Sequence, residues 1–241
     1  MADTKKTPRV GSPNVVGPSI GFGAAEAYKR LRTNLEFSFP DTSGCRVIGV
    51  TSSLKGEGKS TTSINLAYTI AQTGKNVLLI EADLRLPTYA KVLRLAPAPG
   101  FTNLLMGTAD GTQVLQRYGN MDNLRIITAG DLPPNPAELL SSRRTKLAVE
   151  AMKNVADVII LDLPPVGEVT DAQIASRLTD GMIVVVRENY CVKRALDETM
   201  RQLQLAEAKV LGFVMTDSDI QKKGYYKKGY YKEGYGAQKN A

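Results

Sequence analysis

The chain has 241 residues, 43% of them hydrophobic and 23% charged, enough apolar material for one sizeable core with tails. It contains no histidine, which excludes histidine-based acid/base catalysis, histidine metal ligation and every Ser-His or Cys-His nucleophile pair. Of the net charge of +7, residues 221–241 carry +5 (six lysines against Glu233), so the remainder is about neutral and argues against a broadly basic nucleic-acid-binding face.

Residues 1–23 are rich in Pro, Gly and Ser and are expected to form a flexible arm; they lack the apolar stretch of a secretion signal. AAEAYKRLRTNLEFSF follows as a helix, with Tyr28, Leu31, Leu35 and Phe39 spaced by three and four. RVIGVTSS reads as a strand and KSTTSINLAYTIAQTG as a helix closed by Gly74. NVLLIEAD is a second strand and LRIITAG a third, with a short helix near Thr102 to Met106 between them. PAELLSS and RRTKLAVEAMKNV read as helices. The strands DVIILDLPP, GMIVVVRE and KVLGFVMT complete the set, separated by helices near Thr170 to Leu178 and Val192 to Ala206. Apolar strands alternating with helices predict an α/β fold, a mostly parallel sheet covered on both faces, with ligands at the C-terminal strand ends. No apolar run approaches the roughly 20 residues that span a bilayer, so a cytoplasmic chain is expected, with any membrane association supplied by a partner.

Chemistry concentrates at three strand ends. The first strand runs into SSLKGEGKSTT, whose Gly56, Gly58, Lys59 and Ser60 fit the end of G-x-x-x-x-G-K-[ST], with Ser53 in place of the opening glycine. Small residues let backbone N–H groups wrap a phosphate chain, and the helix starting there adds the positive end of its dipole. Gly56, Glu57, Gly58, Lys59, Ser60 and Thr61 are therefore the expected ATP/ADP-binding residues, with Lys59 reaching the β/γ-phosphates and Ser60 ligating Mg²⁺. The second strand ends in LLIEADLRLP. Alternation would place Glu81, Asp83 and Arg85 on one side if the strand persists that far, beside the phosphate loop, to hold Mg²⁺ or orient an attacking hydroxyl. Asp162 ends VIILDLPP in the Walker B manner, near the Mg²⁺ water shell. The expected catalytic set is Lys59, Glu81, Asp83, Arg85 and Asp162, and the expected metal set is Ser60, Glu81 and Asp162.

Residues 220–241 form a low-complexity segment, GYYKKGYYKEGYG at its centre, with glycines at 224, 229 and 234. Taken with GEGKSTT, LLIEADLR and ILDLPP, this tail makes the chain resemble the bacterial tyrosine kinases of capsular and exopolysaccharide systems, over about Ala24 to the end. EAYKRLRTNL, PGFTNLLMG, TAGDLPPNPAELL and DAQIASRLTDGMIVVVR extend the resemblance.

The resemblance implies a P-loop NTPase-like kinase domain over residues 24–219, of the MinD/ParA-like variant, with an oligomerisation helix at 24–39 and a disordered tyrosine-cluster tail at 220–241. Its oligomerisation motif, E-x-x-R-x-x-R, maps to Glu26, Lys29 and Arg32, with lysine where the first arginine is usual. Tyr225, Tyr226, Tyr230, Tyr231 and Tyr235 are the expected phosphoacceptors, reached from neighbouring subunits of a ring-like homo-oligomer. Other protein substrates are possible partners. A separate transmembrane activator, or polysaccharide co-polymerase, is expected to recruit the chain to the inner face of the membrane. Two departures stand out: the family's D-x-D-x-R is here Glu81, Asp83 and Arg85, and Thr216 stands where an Asn commonly meets the adenine base. The rival reading is a MinD/ParA-like ATPase assembly switch without kinase activity. The signature lysine of that family falls on Leu54 here, with Lys55 one place off.

Overall fold

The computed structural model of the chain describes residues 20–39, 44–119 and 121–218. The arm's first 19 residues and all five tail tyrosines lie outside the described residues. The elements follow in chain order: α1 (Phe22–Ser38), β1 (Arg46–Ser52), α2 (Lys59–Ala71), β2 (Val77–Glu81), α3 (Tyr89–Leu93), α4 (Phe101–Met106), α5 (Gly111–Val114) and β3 (Gln116–Tyr118). Then come β4 (Met121–Ile127), α6 (Pro136–Ser141), α7 (Arg143–Met152), β5 (Val158–Asp162), α8 (Asp171–Ser176), β6 (Gly181–Arg187), α9 (Lys193–Leu205) and β7 (Val210–Thr216). The strands form one sheet in the order β3-β4-β2-β5-β1-β6-β7. All pairings are parallel except β3 with β4.

Strand alternation divides the core in two. Leu78, Ile80, Ile159 and Leu161 face one layer, packed by Phe101, Leu105, Leu140, Val149 and Leu203. Val77, Leu79, Val158 and Ile160 face the other, packed by Leu35, Ile64, Leu66 and Ile70. Strands buried on both faces read as continuous apolar runs, which is why the central β2 and β5 are VLLIE and VIILD.

Helix α1 starts at Phe22, two residues before the expected helix, and rests on α2. Leu35 is buried there, and Arg32 Nη1 donates to the Thr69 carbonyl at 3.1 Å. Among the described residues no helix is long and apolar enough to cross a membrane.

Candidate active site

Strand β1 lies between β5 and β6, so the loop after it opens between the C-terminal ends of three parallel strands. Gly56 and Gly58 adopt φ of +86° and +92°, the left-handed region that only glycine enters without cost, and Gly58 hands directly to α2. The fully buried Glu57 holds the loop from within: its carboxylate accepts from the Leu54 amide at 2.6 Å and the Arg187 amide at 3.4 Å. Its backbone carbonyl accepts from the Thr216 hydroxyl at 2.7 Å. Thr216, met in the sequence as a substitute for an adenine-contacting Asn, therefore braces the loop. Lys55 is fixed on both sides, its amide donating to Glu168 at 2.8 Å and its carbonyl accepting from the Tyr190 hydroxyl at 3.1 Å. The Arg187 guanidinium lies 5.3 Å from the Tyr190 ring centroid and donates to the Gly56 carbonyl at 3.4 Å. Glu168 and Tyr190 carried no motif signal, and Arg187 appeared only as the end of DAQIASRLTDGMIVVVR. Glu57 did carry one, since a carboxylate inside a loop shaped for phosphate belongs there only when its charge is already engaged.

Lys59, the first residue of α2, projects into a pocket of acid. Its Nζ lies 2.8 Å from Asp83 Oδ2, 3.7 Å from Asp162 Oδ1 and 3.3 Å from Ser60 Oγ. Burial pulls the Lys59 ammonium down, but Asp162 and Asp83 outweigh it and hold the group above its ordinary range. Burial pushes Asp162 up against the pull of Lys59. The Ser63 hydroxyl donates to Asp162 Oδ1 at 3.3 Å, whereas Asp162 Oδ2 is buried with no hydrogen-bond partner. A buried acceptor left open beside a lysine, a serine hydroxyl and a glycine loop fits a Mg²⁺-bound phosphate chain, whose metal-bound water would satisfy it.

The three alternating charges of the second strand end do not share one side. Strand β2 stops at Glu81, so alternation does not carry to Asp83 and Arg85, and each finds its own neighbour. Asp83 meets Lys59, and its other oxygen accepts from the Leu86 amide at 3.1 Å. Arg85 forms a bidentate pair with the fully buried Asp171 at the start of α8, at 2.8 and 2.9 Å. Both Glu81 oxygens accept from backbone: Oε1 from the amides of Thr88 and Tyr89, the latter at 2.8 Å, and Oε2 from that of Ala129 at 3.1 Å. Burial pushes the Glu81 carboxyl up to about 7, against the lowering effect of these three amides. Among the described residues no group of three acidic, cysteine or histidine side chains converges as a metal cage. Mg²⁺ sites that include phosphate oxygens need only one or two protein ligands.

Beside the loop, α1 and the end of β7 enclose a cavity of about 720 Å³ whose walls include Tyr28, Leu31, Thr61, Arg187, Phe213 and Thr216. Of the oligomerisation motif, Glu26 and Lys29 pair with each other on the open side of α1 at 2.8 Å, while Arg32 turns inward to α2.

A strand, a left-handed glycine loop, a lysine in the first turn of the helix that follows and a neighbouring strand-end aspartate define the P-loop NTPase-like fold, in its MinD-like α/β variant. An AAA domain family model matches residues 45–212. Tyrosine-protein kinase YwqD of Bacillus subtilis (strain 168) is 40% identical over 206 residues, which cover 84% of this chain and 86% of that protein. Tyrosine-protein kinase CpsD of Streptococcus agalactiae serotype III (strain NEM316) is 35% identical over 191 residues, covering 79% and 81%. The kinase domain of the Escherichia coli tyrosine kinase ETK superposes with a TM-score of 0.75 at 28% identity, over 88% of this chain and 80% of that one. MIND of Pyrococcus horikoshii OT3, at 22% identity and a TM-score of 0.60, shares the fold alone. The chain belongs to the family of bacterial tyrosine-protein kinases built on this AAA domain.

Proposed function

We propose that this kinase transfers the terminal phosphoryl group of Mg·ATP to tyrosines of its own C-terminal segment, in a neighbouring subunit: Tyr225, Tyr226, Tyr230, Tyr231 and Tyr235. The observation that carries the reading is the convergence of Lys59, Asp83 and Asp162 at the mouth of the glycine loop. The loop amides and Lys59 hold the phosphates, and Ser60 and Asp162 hold Mg²⁺ directly or through water. The bound metal supplies neutralisation of charge on the phosphates.

Lys59 has two jobs in sequence. Before nucleotide enters, it neutralises Asp83; when phosphate draws the ammonium away, the freed Asp83 carboxylate accepts a hydrogen bond from the incoming tyrosine hydroxyl. A tyrosine with a pKa near 10 profits from such an acceptor late in the transfer. Arg85, held by Asp171, is still 40% exposed, available to an acceptor segment or its new phosphate.

Glu26 and Lys29 lie on the face of α1 that serves a ring-like oligomer in this reading, and a separate membrane activator recruits the cytoplasmic chain to the membrane. Successive phosphates of about −1.5 to −2 charges each reverse the tail's +5 and disperse the oligomer, which couples the kinase to capsular or exopolysaccharide synthesis or export.

Asp83→Asn tests the assignment of the acceptor. Phosphotyrosine formation is expected to fall about 100-fold or more, the range of a lost general base, with Mg·ADP affinity changed less than about threefold. A variant that phosphorylates at the wild-type rate overturns the role of Asp83.

A further inference from the structure

Resting on the kinase reading, we infer that Glu81 is a positioning residue: its carboxylate clamps the backbone amides of Thr88, Tyr89 and Ala129 and so fixes the Asp83–Arg85 segment against Lys59. Position 81 was expected to bind Mg²⁺ or to act on the substrate. The geometry gives it different work.

Both oxygens are engaged, Oε1 by two amides at the start of α3 and Oε2 by Ala129 just beyond β4. Glu81 is only 1% exposed, and Tyr89 and Ala129 are buried too, so these donors have no water to turn to. The chain between residues 81 and 89 is thereby closed into a loop, tied at both ends to one carboxylate. Inside that loop sit Asp83, whose Oδ2 meets Lys59, and Arg85, whose guanidinium meets Asp171. The Ala82 amide donates to the Asp162 carbonyl at 2.9 Å, which anchors the loop's first turn to the neighbouring strand. Without the clamp, the far end of the loop keeps only the packing of Tyr89 and loses its hydrogen bonds to the sheet, and Asp83 loses its fixed distance from the phosphate-binding lysine. Catalysis by positioning is sensitive to shifts of this kind.

The side chain's length is the decisive feature. Glutamate carries its carboxylate one methylene further from the strand than the family's usual aspartate, far enough to reach across to α3 and to the end of β4. An aspartate at 81 falls short of the amides, leaving buried donors unpaired.

Three full-length variants, Glu81→Asp, Glu81→Gln and Glu81→Ala, separate a clamp from a ligand or base, because the two roles rank them in opposite order. Glutamine keeps the length and one acceptor oxygen, enough for the two amides at the start of α3, and gives up only the Ala129 bond, while aspartate keeps the charge and loses the reach to all three. For a clamp, turnover in the presence of saturating Mg·ATP falls about tenfold or more in Asp and Ala and only a few-fold in Gln, with half-saturating Mg²⁺ moved less than about threefold throughout. Amide hydrogen exchange in the nucleotide-free protein supplies an arm that needs no activity. Thr88, Tyr89 and Ala129 exchange slowly in the wild type and faster in Asp and Ala.

The clamp is overturned if Glu81→Asp keeps wild-type turnover and protection, or if Glu81→Gln raises half-saturating Mg²⁺ by about tenfold or more, as loss of a metal ligand does. A wild-type protein that makes no phosphotyrosine contradicts the kinase reading instead, and the exchange pattern still decides the clamp.

Discussion

Lys59 faces two carboxylates in a pocket nearly closed to water, and the third acid of the site, Glu81, is raised to about 7 by burial. A carboxyl raised in the folded state stabilises the fold fully below its unfolded value, about 4.5, and that contribution is lost as pH climbs through about 7. Asp162, also raised by burial, acts in the same direction. The thermal midpoint of the nucleotide-free wild type, measured against Glu81→Gln, is therefore expected to be higher at pH 5 than at pH 8, with the variant gaining relative to the wild type as pH rises. A difference that does not move with pH contradicts the raised carboxyl.

At this scale the motif residues were legible because each sits at a strand end with a defined spacing: Gly56, Gly58, Lys59, Ser60 and Asp162. The destinations of Glu81, Asp83 and Arg85 were not, because they depend on where β2 stops and on Asp171 and Ala129, which lie 86 and 48 positions from Arg85 and Glu81.

Among the elements, α1 is the one that joins the cavity beside the glycine loop to the open face carrying Glu26 and Lys29. Its hold on the domain is modest in extent: Leu35 is its one buried residue, assisted by Leu31 and by Arg32 on Thr69. Leu35→Ala removes that anchor and is expected to cost about 2–4 kcal/mol, read as a lower midpoint in urea with an unchanged m-value. A change below about 0.5 kcal/mol shows that α1 is held elsewhere.

The long elements followed from pattern, since α2, α9 and the buried strands each extend over five residues or more of regular periodicity. Strand β3 did not. Gln116–Tyr118 is three residues with one buried side chain, and its pairing with β4 is antiparallel, so neither length nor the parallel rule pointed to it. The short helices α3 and α5 were missed for the same reason: five and four residues show too little of a 3.6-residue period.

For the whole molecule, the described domain accounts for a phosphate loop, an acidic pocket and a mouth, and the charge surplus lies in the segment that follows β7. Thr216, the last residue of β7, touches the P-loop through Glu57, so β7 ends beside that loop. Asp83 lies two residues beyond the end of β2, four strands across the sheet from β7, roughly 19 Å at the usual inter-strand spacing. In the reaction proposed above, the acceptor tyrosine has to reach the β2 side of the sheet.

The central claim is the transfer of phosphate to tyrosine, and the most direct test is to incubate the 241-residue chain with Mg·ATP, with and without the cytoplasmic segment of the membrane activator proposed above, then locate the phosphates by intact and peptide mass. The account predicts phosphate on Tyr225, Tyr226, Tyr230, Tyr231 and Tyr235, absent in Lys59→Met. Release of ADP with no phosphotyrosine on any peptide contradicts it and leaves an ATPase assembly switch in its place.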